Sequence, residues 1–428
     1  MISQALRESI IALIRQQVVP AIGCTEPMAV ALCVARATEA LGARPEQIDV
    51  QLSANIIKNA MGVGIPGTGM IGLPIAIALG ALVGKSDYQL EVLRDLTPEC
   101  LEEGKQFLKE DRINIALKRG EGIDKLYVEV ACHAGSHTGT AIISRSHTAF
   151  VYVAKDDTVL LDCRNQTHAE GQDAGLQLNM ATVYEFATES PFDELRFILK
   201  ARDMNLNVAH EARKSNFGHA LGKTIERPMA RGIMGDTLFC HILAATASGC
   251  DARMGGAPIG VMSNSGSGNQ GIAATNPVAV FAEENNNTEE ETVRALILSH
   301  LTAIYIKQSL GALSALCGCV VASIGSSCGI TYLMGGNYRQ ICSSVKNMIA
   351  NLTGMICDGA KPSCALKLTS AVSTAVLSAI LSMENKTVSS LEGIVDDDVD
   401  RSIHNLTSIG ADAMTETDAQ VLRIMTSK

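Results

Sequence analysis

The chain has no tryptophan, and aromatic residues make up only 4% of its 428 residues. Alanine, glycine, serine and methionine fill the space instead, a composition suited to closely packed helices. No dense Lys/Arg block occurs and the formal net charge is −10, so a nucleic-acid-binding surface is not expected. The first 22 residues lack a small-residue cleavage site. They carry Arg7, Glu8 and Arg15 through an apolar pattern and read as an amphipathic helix rather than an export signal, so a cytoplasmic location is expected. Asp, Glu, Lys and Arg are also missing from 310–336, a run longer than the roughly 20 residues of a membrane span. It is dense in Ser, Gly, Ala and Cys and lacks a lipophilic Leu/Phe/Val core. The expectation is therefore a buried helix broken at 325–329, with no membrane partner.

Cysteine, by contrast, is plentiful, with thirteen residues. In a reducing compartment these are not a disulfide framework, and most read as small buried hydrophobes. Two places call for more. Cys357 and Cys364 bracket Gly359 and Pro362, which require a loop between them, and Cys317 lies in an earlier Gly- and Ala-rich run. Cys24 stands in Gly23-Cys24-Thr25-Glu26-Pro27, ahead of an apolar helix over 28–41. With Thr25 capping and Pro27 in the first turn, the thiol sits just before a helix N-terminus. The dipole there favours thiolate over a thiol whose pKa is ordinarily about 8.5, so Cys24 can serve as a base. The competing reading is a buried cysteine at a helix entrance.

The organisation is read as α+β: a large, mostly helical domain with an inserted mixed α+β unit. Residues 1–44 are expected to be N-terminal helices packing on the C-terminal domain, 45–170 the α+β unit, and 171–428 the helical domain. Alternating Ile48, Val50 and Leu52 predict a strand, and 125–131, 140–144, 149–153 and 158–161 predict short antiparallel strands. A helix is expected over 91–108, and further helices over 182–189, 192–210, 219–247 and 289–308. His133, His137 and His147 match no zinc spacing and read as solvated strand-end residues.

Asn55, Lys58 and Asn59 fall at i, i+3 and i+4 spacing on one helical face. One cation with two amides can hold a carboxylate. Ile65-Pro66-Gly67-Thr68-Gly69-Met70 lacks the Gly-Lys-Ser/Thr ending of a phosphate loop. Gly266-x-Gly268-x-x-Gly271 matches a dinucleotide fingerprint formally, but no βαβ unit surrounds it and Pro277 is expected to interrupt the following helix. The donors Ser263, Asn264, Ser265, Ser267, Asn269 and Gln270 among those glycines suit a nest for an amino acid carboxylate.

Those stretches, with Asp251-Ala252-Arg253-Met254-Gly255-Gly256, Leu313-Ser314-Ala315-Leu316-Cys317-Gly318 and Gly354-Met355-Ile356-Cys357-Asp358-Gly359-Ala360, resemble the L-cysteine desulfidase family across nearly the whole chain. The C-terminal half also resembles the α-part of bacterial iron-sulfur L-serine dehydratases. The resemblance implies a 4Fe-4S cluster on Cys317, Cys357 and Cys364, with Cys24 as proton acceptor. Cys319 and Cys328 lie near Cys317, and spacing does not choose among the three. The activity implied is β-elimination from L-cysteine to sulfide, ammonia and pyruvate, without pyridoxal phosphate. L-serine dehydration by the same cluster and a non-catalytic cluster- or amino-acid-binding sensor are the alternatives. The expected partner is a small amino acid substrate, and the expected assembly a homo-oligomer, specifically a dimer.

Overall fold

The alternating Ile48, Val50 and Leu52 bury their side chains from strand β2 (Gln47–Leu52), while Gln47 and Gln51 face solvent. This computed structural model describes residues 2–120, 122–164, 176–311 and 314–427. Leu313 and the expected boundary at 170–171 lie outside the described residues.

The fold is α+β. The N-terminal segment gives α1 (Gln4–Gln17), a short strand β1 (Pro20–Ile22) and α2 (Thr25–Leu41). After β2 come α3 (Ala54–Ala60), α4 (Leu73–Leu82), α5 (Pro98–Lys109) and β3 (Ile113–Leu117). A meander follows: β4 (Tyr127–Ala134), β5 (His137–Ser144), β6 (Phe150–Lys155) and β7 (Thr158–Asp162). The six strands lie in the order β3-β2-β4-β5-β6-β7, with only β2 and β3 parallel. The four strands expected in the meander are present with shifted ends, whereas β3 was not expected. The helix expected from 91 begins only at Pro98, because Ser86–Glu91 forms a 3-10 turn.

One expectation about domains is corrected. Helix α2 does not join α1 on the helical body. It lies on β4, β5 and α4, and its Val30, Leu32 and Val34 share a core with Val50, Val128 and Val130. An almost wholly buried helix has no polar face to reveal which neighbour it chooses.

The helical body begins with α6 (Met180–Glu189), α7 (Phe192–Leu195), α8 (Leu199–Lys214), α9 (Leu221–Ile225), α10 (Pro228–Met234) and α11 (Leu238–Met254). The single helix expected over 219–247 is thus three, with Pro228 opening α10 and Gly235 ending it at φ 82°. Strand β8 (Gly260–Met262), α12 (Gly268–Glu284) and α13 (Glu289–Leu310) come next. Thr288 and Glu291 close a capping box on α13. The chain ends with α14 (Gly318–Leu333), α15 (Tyr338–Leu352), α16 (Cys364–Met383), α17 (Val399–Ser408), a π-helical turn (Ile409–Ala413) and α18 (Thr415–Thr426).

Helix α14 is the hub, packed against α12, α13, α15 and α16. The break expected at 325–329 does not occur. A Cβ on Gly325 would stand 2.1 Å from the Ser299 carbonyl oxygen of α13, so this glycine permits close helix packing rather than a bend. Buried hydroxyls in the uncharged run find carbonyls: Ser323 donates to Cys319 O at 2.8 Å and Ser327 to Ala375 O at 3.0 Å. Pro277 also fails to interrupt its helix. It sits inside α12, where packing on α11, α13 and α14 outweighs one missing backbone bond. Among the described residues one helix, Cys364–Met383, is long and apolar enough to cross a membrane, but over half of it is buried in the protein.

Candidate active site

Four helix N-termini meet at one cavity of about 790 Å³ between the sheet unit and the helical body. Cys24 caps α2, Cys317 caps α14, Cys364 opens α16, and Ser267, Asn269 and Gln270 occupy the first turn of α12. All six residues line the cavity, with Cys357 and Cys319. Converging positive dipole ends and free backbone N–H groups suit anionic contents.

Cys24, not Thr25, is the N-cap residue of α2. Its Sγ lies 2.8 Å from Glu26 Oε2, which also accepts from Thr25 Oγ1 at 3.1 Å. The expected thiolate is corrected here. Burial, reinforced by the Glu26 charge and opposed by Arg253, pushes the Cys24 thiol well above its ordinary pKa. A dipole worth a fraction of a unit charge does not offset complete desolvation beside a carboxylate. Arg253 Nε donates to Gly23 O at 3.0 Å, fixing the turn that carries Cys24.

The loop after β8 is tied to the same turn. Strand β1 pairs antiparallel with β8, Pro20 opposite Met262 and Ile22 opposite Gly260. Ser263 Oγ donates to Val19 O at 2.6 Å, and Asn264 Nδ2 to His300 Nδ1 and O, both at 3.1 Å. Ser263 and Asn264 therefore support the loop and do not line the cavity. Burial drives the His300 pKa down to about 3, and its Nε2 meets Thr275 Oγ1 at 3.0 Å. Ser265, Ser267, Asn269 and Gln270 face the cavity, and Asn269 Oδ1 and Gln270 Oε1 are buried there without a hydrogen-bond partner. Such oxygens call for a donor, which an ammonium group supplies.

The thiols of the C-terminal half are brought together by backbone pairing. Cys317 N donates to Met355 O at 3.0 Å and Cys357 N to Ala315 O at 2.6 Å. Cys319 holds the Cys317 pKa down by a hydrogen bond, against the effect of burial, whereas burial raises Cys357 and Cys364. Asp358 lies between Lys361 and Lys367. Burial raises its pKa, but hydrogen bonds from both lysines win and bring it to about 2. Cys328 lies within α14 against Ser344, outside the cavity. The residues of the Cys317 neighbourhood that line it are thus Cys317 and Cys319.

Asn59 lines this cavity, but Asn55 and Lys58 turn elsewhere. Both donate to Asp418 of α18, Asn55 at 3.1 Å, in a neighbouring cavity of about 230 Å³. The expected carboxylate is present, and it belongs to the chain itself.

Sequence reasoning missed Glu26, Arg253 and Lys307, all of which line the main cavity. Lys307 is buried, and burial lowers its pKa to about 8 although the thiols of Cys357 and Cys317 pull upward. The signal for it was a single cation on the inward side of α13, where Ile304 and Ile306 are buried.

Among the described residues no three His, Cys, Asp or Glu side chains are grouped to hold one metal ion. Cys317, Cys357 and Cys364 instead stand around a common space. A group of several irons, each held by one thiolate, would suit that donor set, and Lys367 and Lys361 favour the thiolate forms of Cys317 and Cys364 that would hold it.

Thiols, buried amide oxygens and cations around one cavity suit a lyase-type enzyme related to the α-part of iron-sulfur serine dehydratases, the class that the family match supports. The chain belongs to the serine dehydratase alpha chain family, whose model matches residues 87–423. It is similar to a UPF0597 protein of Bacteroides thetaiotaomicron, 64% identical over 422 residues, covering 99% of this chain and 98% of the relative. A UPF0597 protein of Shewanella halifaxensis is 42% identical over 427 residues, covering 97% of each.

Proposed function

We propose that the chain is an L-cysteine desulfidase, catalysing β-elimination of L-cysteine to sulfide, ammonia and pyruvate with a 4Fe-4S cluster on Cys317, Cys357 and Cys364. The observation that carries this reading is the Cys24–Glu26 pair facing the same cavity as those three thiols. Such a cluster, when bound, supplies an iron with an open position for the departing sulfur.

The chain's own groups do the rest. Arg253 and Lys307 attract the carboxylate, while Asn269 Oδ1 and Gln270 Oε1 accept from the ammonium. This grip aims the α-hydrogen at Cys24. Cys24 holds its own proton at rest; in the fraction of chains that have released it to solvent, the thiolate takes the α-proton, and the C–H electron pair forms the Cα=Cβ bond as the C–S pair leaves with sulfur. The aminoacrylate released tautomerises to an imine, and water converts it to pyruvate and ammonium. Sulfide needs less proton assistance than hydroxide on leaving, which suits walls that include Leu13, Leu126, Ile304 and Leu316.

A second reading, L-serine dehydration at the same site, is favoured by the family match. Anaerobic reconstitution with iron and sulfide, removal of free sulfide, and assay with L-cysteine and L-serine side by side separates the two. Equal sulfide and pyruvate from cysteine, dependent on the cluster, is the expected result. Pyruvate from serine with background cysteine turnover selects the second reading. Iron binding with neither product leaves a cluster-binding protein and sinks both.

A further inference from the structure

The smaller cavity, of about 230 Å³, is bordered by α3, Lys125, the segment before Cys317, the π-helical turn and α18. Its polar centre is the Lys58–Asp418 ion pair, joined by Asn55. Lys58 is only 2% exposed and Asp418 19%. The remaining wall is mostly small and apolar, including Ala54, Ala315, Ala411, Met414 and Leu422, with a second cation, Lys125, and the hydroxyls of Ser314 and Thr415 also on it.

Two features mark the pair as exchangeable rather than merely structural. Leu422 is the one fully buried residue of α18, with Val421 and Met425 half-buried, so the helix is lightly anchored and Asp418 is its polar tie. The π-helical turn Ile409–Ala413 that leads into it also borders the cavity, and such turns gather at functional sites. Lys58 and Asn55 present donors to a carboxylate, and Asp418 is itself an acceptor for a cation. Opposite charges side by side at a small space, with Lys125 adding a second cation on the carboxylate-binding side of the balance, complement a zwitterion.

We infer that this cavity is a second ligand site, taking a small α-amino acid whose carboxylate displaces Asp418 from Lys58 and Asn55 and whose ammonium is held by the released Asp418. One intrachain pair is exchanged for two pairs with the ligand, and α18 loosens. The site reaches the main cavity through the backbone: a Cβ on Gly359 (φ 91°) would stand 2.0 Å from the Lys58 carbonyl oxygen. Gly359 lies in the loop between Cys357 and Cys364. Movement of Lys58 therefore bears directly on that loop. None of this depends on which amino acid the main cavity consumes.

The probe is L-alanine, which has no β-leaving group and is not turned over. Hydrogen–deuterium exchange of the reconstituted protein is followed while L-alanine, or propionate as a carboxylate without ammonium, is titrated. Saturable loss of protection over 415–427 with L-alanine, and a weaker response to propionate, is expected. Lys58→Met should weaken the L-alanine response by about tenfold or more, as loss of a buried charge partner does. Should that variant fail to fold, Asn55→Ala should weaken it in the same direction. Gln270→Ala, which removes an acceptor for the ammonium in the main cavity, should retain the full α18 response, which separates this site from the main cavity. An α18 indifferent to L-alanine, a response untouched by both Lys58→Met and Asn55→Ala, or equal responses to alanine and propionate overturns the proposal.

Discussion

The thiol of Cys24 and the carboxylate of Glu26, two residues apart in one helical turn, lie 2.8 Å from each other. Burial is the main reason the thiol resists ionisation, and the Glu26 charge adds to it. Glu26→Gln deletes the charge and leaves the burial, so Cys24 ionises at lower pH. The rising limb of activity against pH is predicted to move down by about one unit. A limb that stays in place means that another group is the base.

Cys24→Ala is predicted to lower turnover by about 10²–10⁴-fold, the usual range for a lost general base, while bound iron per chain is unchanged. Iron lost together with activity would make Cys24 a ligand instead.

Cys357→Ala and Cys364→Ala are predicted to lose iron on reconstitution, measured by metal content and visible absorbance. Cys328→Ala is predicted to keep it, because that thiol packs against Ser344 inside α14. Iron loss in Cys328→Ala would move the first ligand away from Cys317.

His300 gives a stability prediction with a definite sign. Its folded pKa of about 3 lies below the unfolded 6.5, so between these values the unfolded chain binds more protons. Stability is full above pH 6.5 and is lost as pH falls toward 3. Between pH 8 and pH 5 the loss from this site is on the order of 2 kcal/mol. His300→Gln, which retains hydrogen-bonding groups toward Asn264 and Thr275, should show a shallower acid slope in chemical denaturation. Equal slopes would mean that His300 takes up a proton without unfolding.

Gly325→Ala places a methyl group against the Ser299 carbonyl and is predicted to cost about 1–3 kcal/mol, read as a lower thermal midpoint. Gly354→Ala, with nothing within 4 Å of the added carbon, is the control and should leave the midpoint nearly unchanged. A stabilised Gly325→Ala would restore the bend reading of that glycine.

Local signals in the sequence carried far. The Thr288–Glu291 capping box and the alternation in β2 and β4 depend on neighbours a few residues away, and such patterns can be read directly. Strand β3 alternates as well, through Ile113, Ile115 and Leu117, but its parallel partner β2 is not joined to it by a turn. Gly325 was legible as a glycine and not as a contact, since a missing side chain means a bend or a close approach only once the neighbour is known. The same holds at the site. The cysteines announced themselves by type, whereas Arg253 and Lys307 gain meaning only from the cavity they share. Lys58 was read as a carboxylate holder, and its carboxylate came from 360 positions away.

The pairing of β1 with β8 joins the turn bearing Cys24 to the loop bearing Ser265 and Gln270 in one ribbon of backbone. The distance between the backbone at Cys24 and the backbone at Ser265 is thereby set like the jaws of a gauge by main-chain hydrogen bonds, and the thiol and the amide oxygens reach from that frame on their own side chains. A molecule that needs more room than those side chains can yield gains none from the backbone of this ribbon. For an amino acid gripped as proposed, this wall then acts on length, before any chemistry begins.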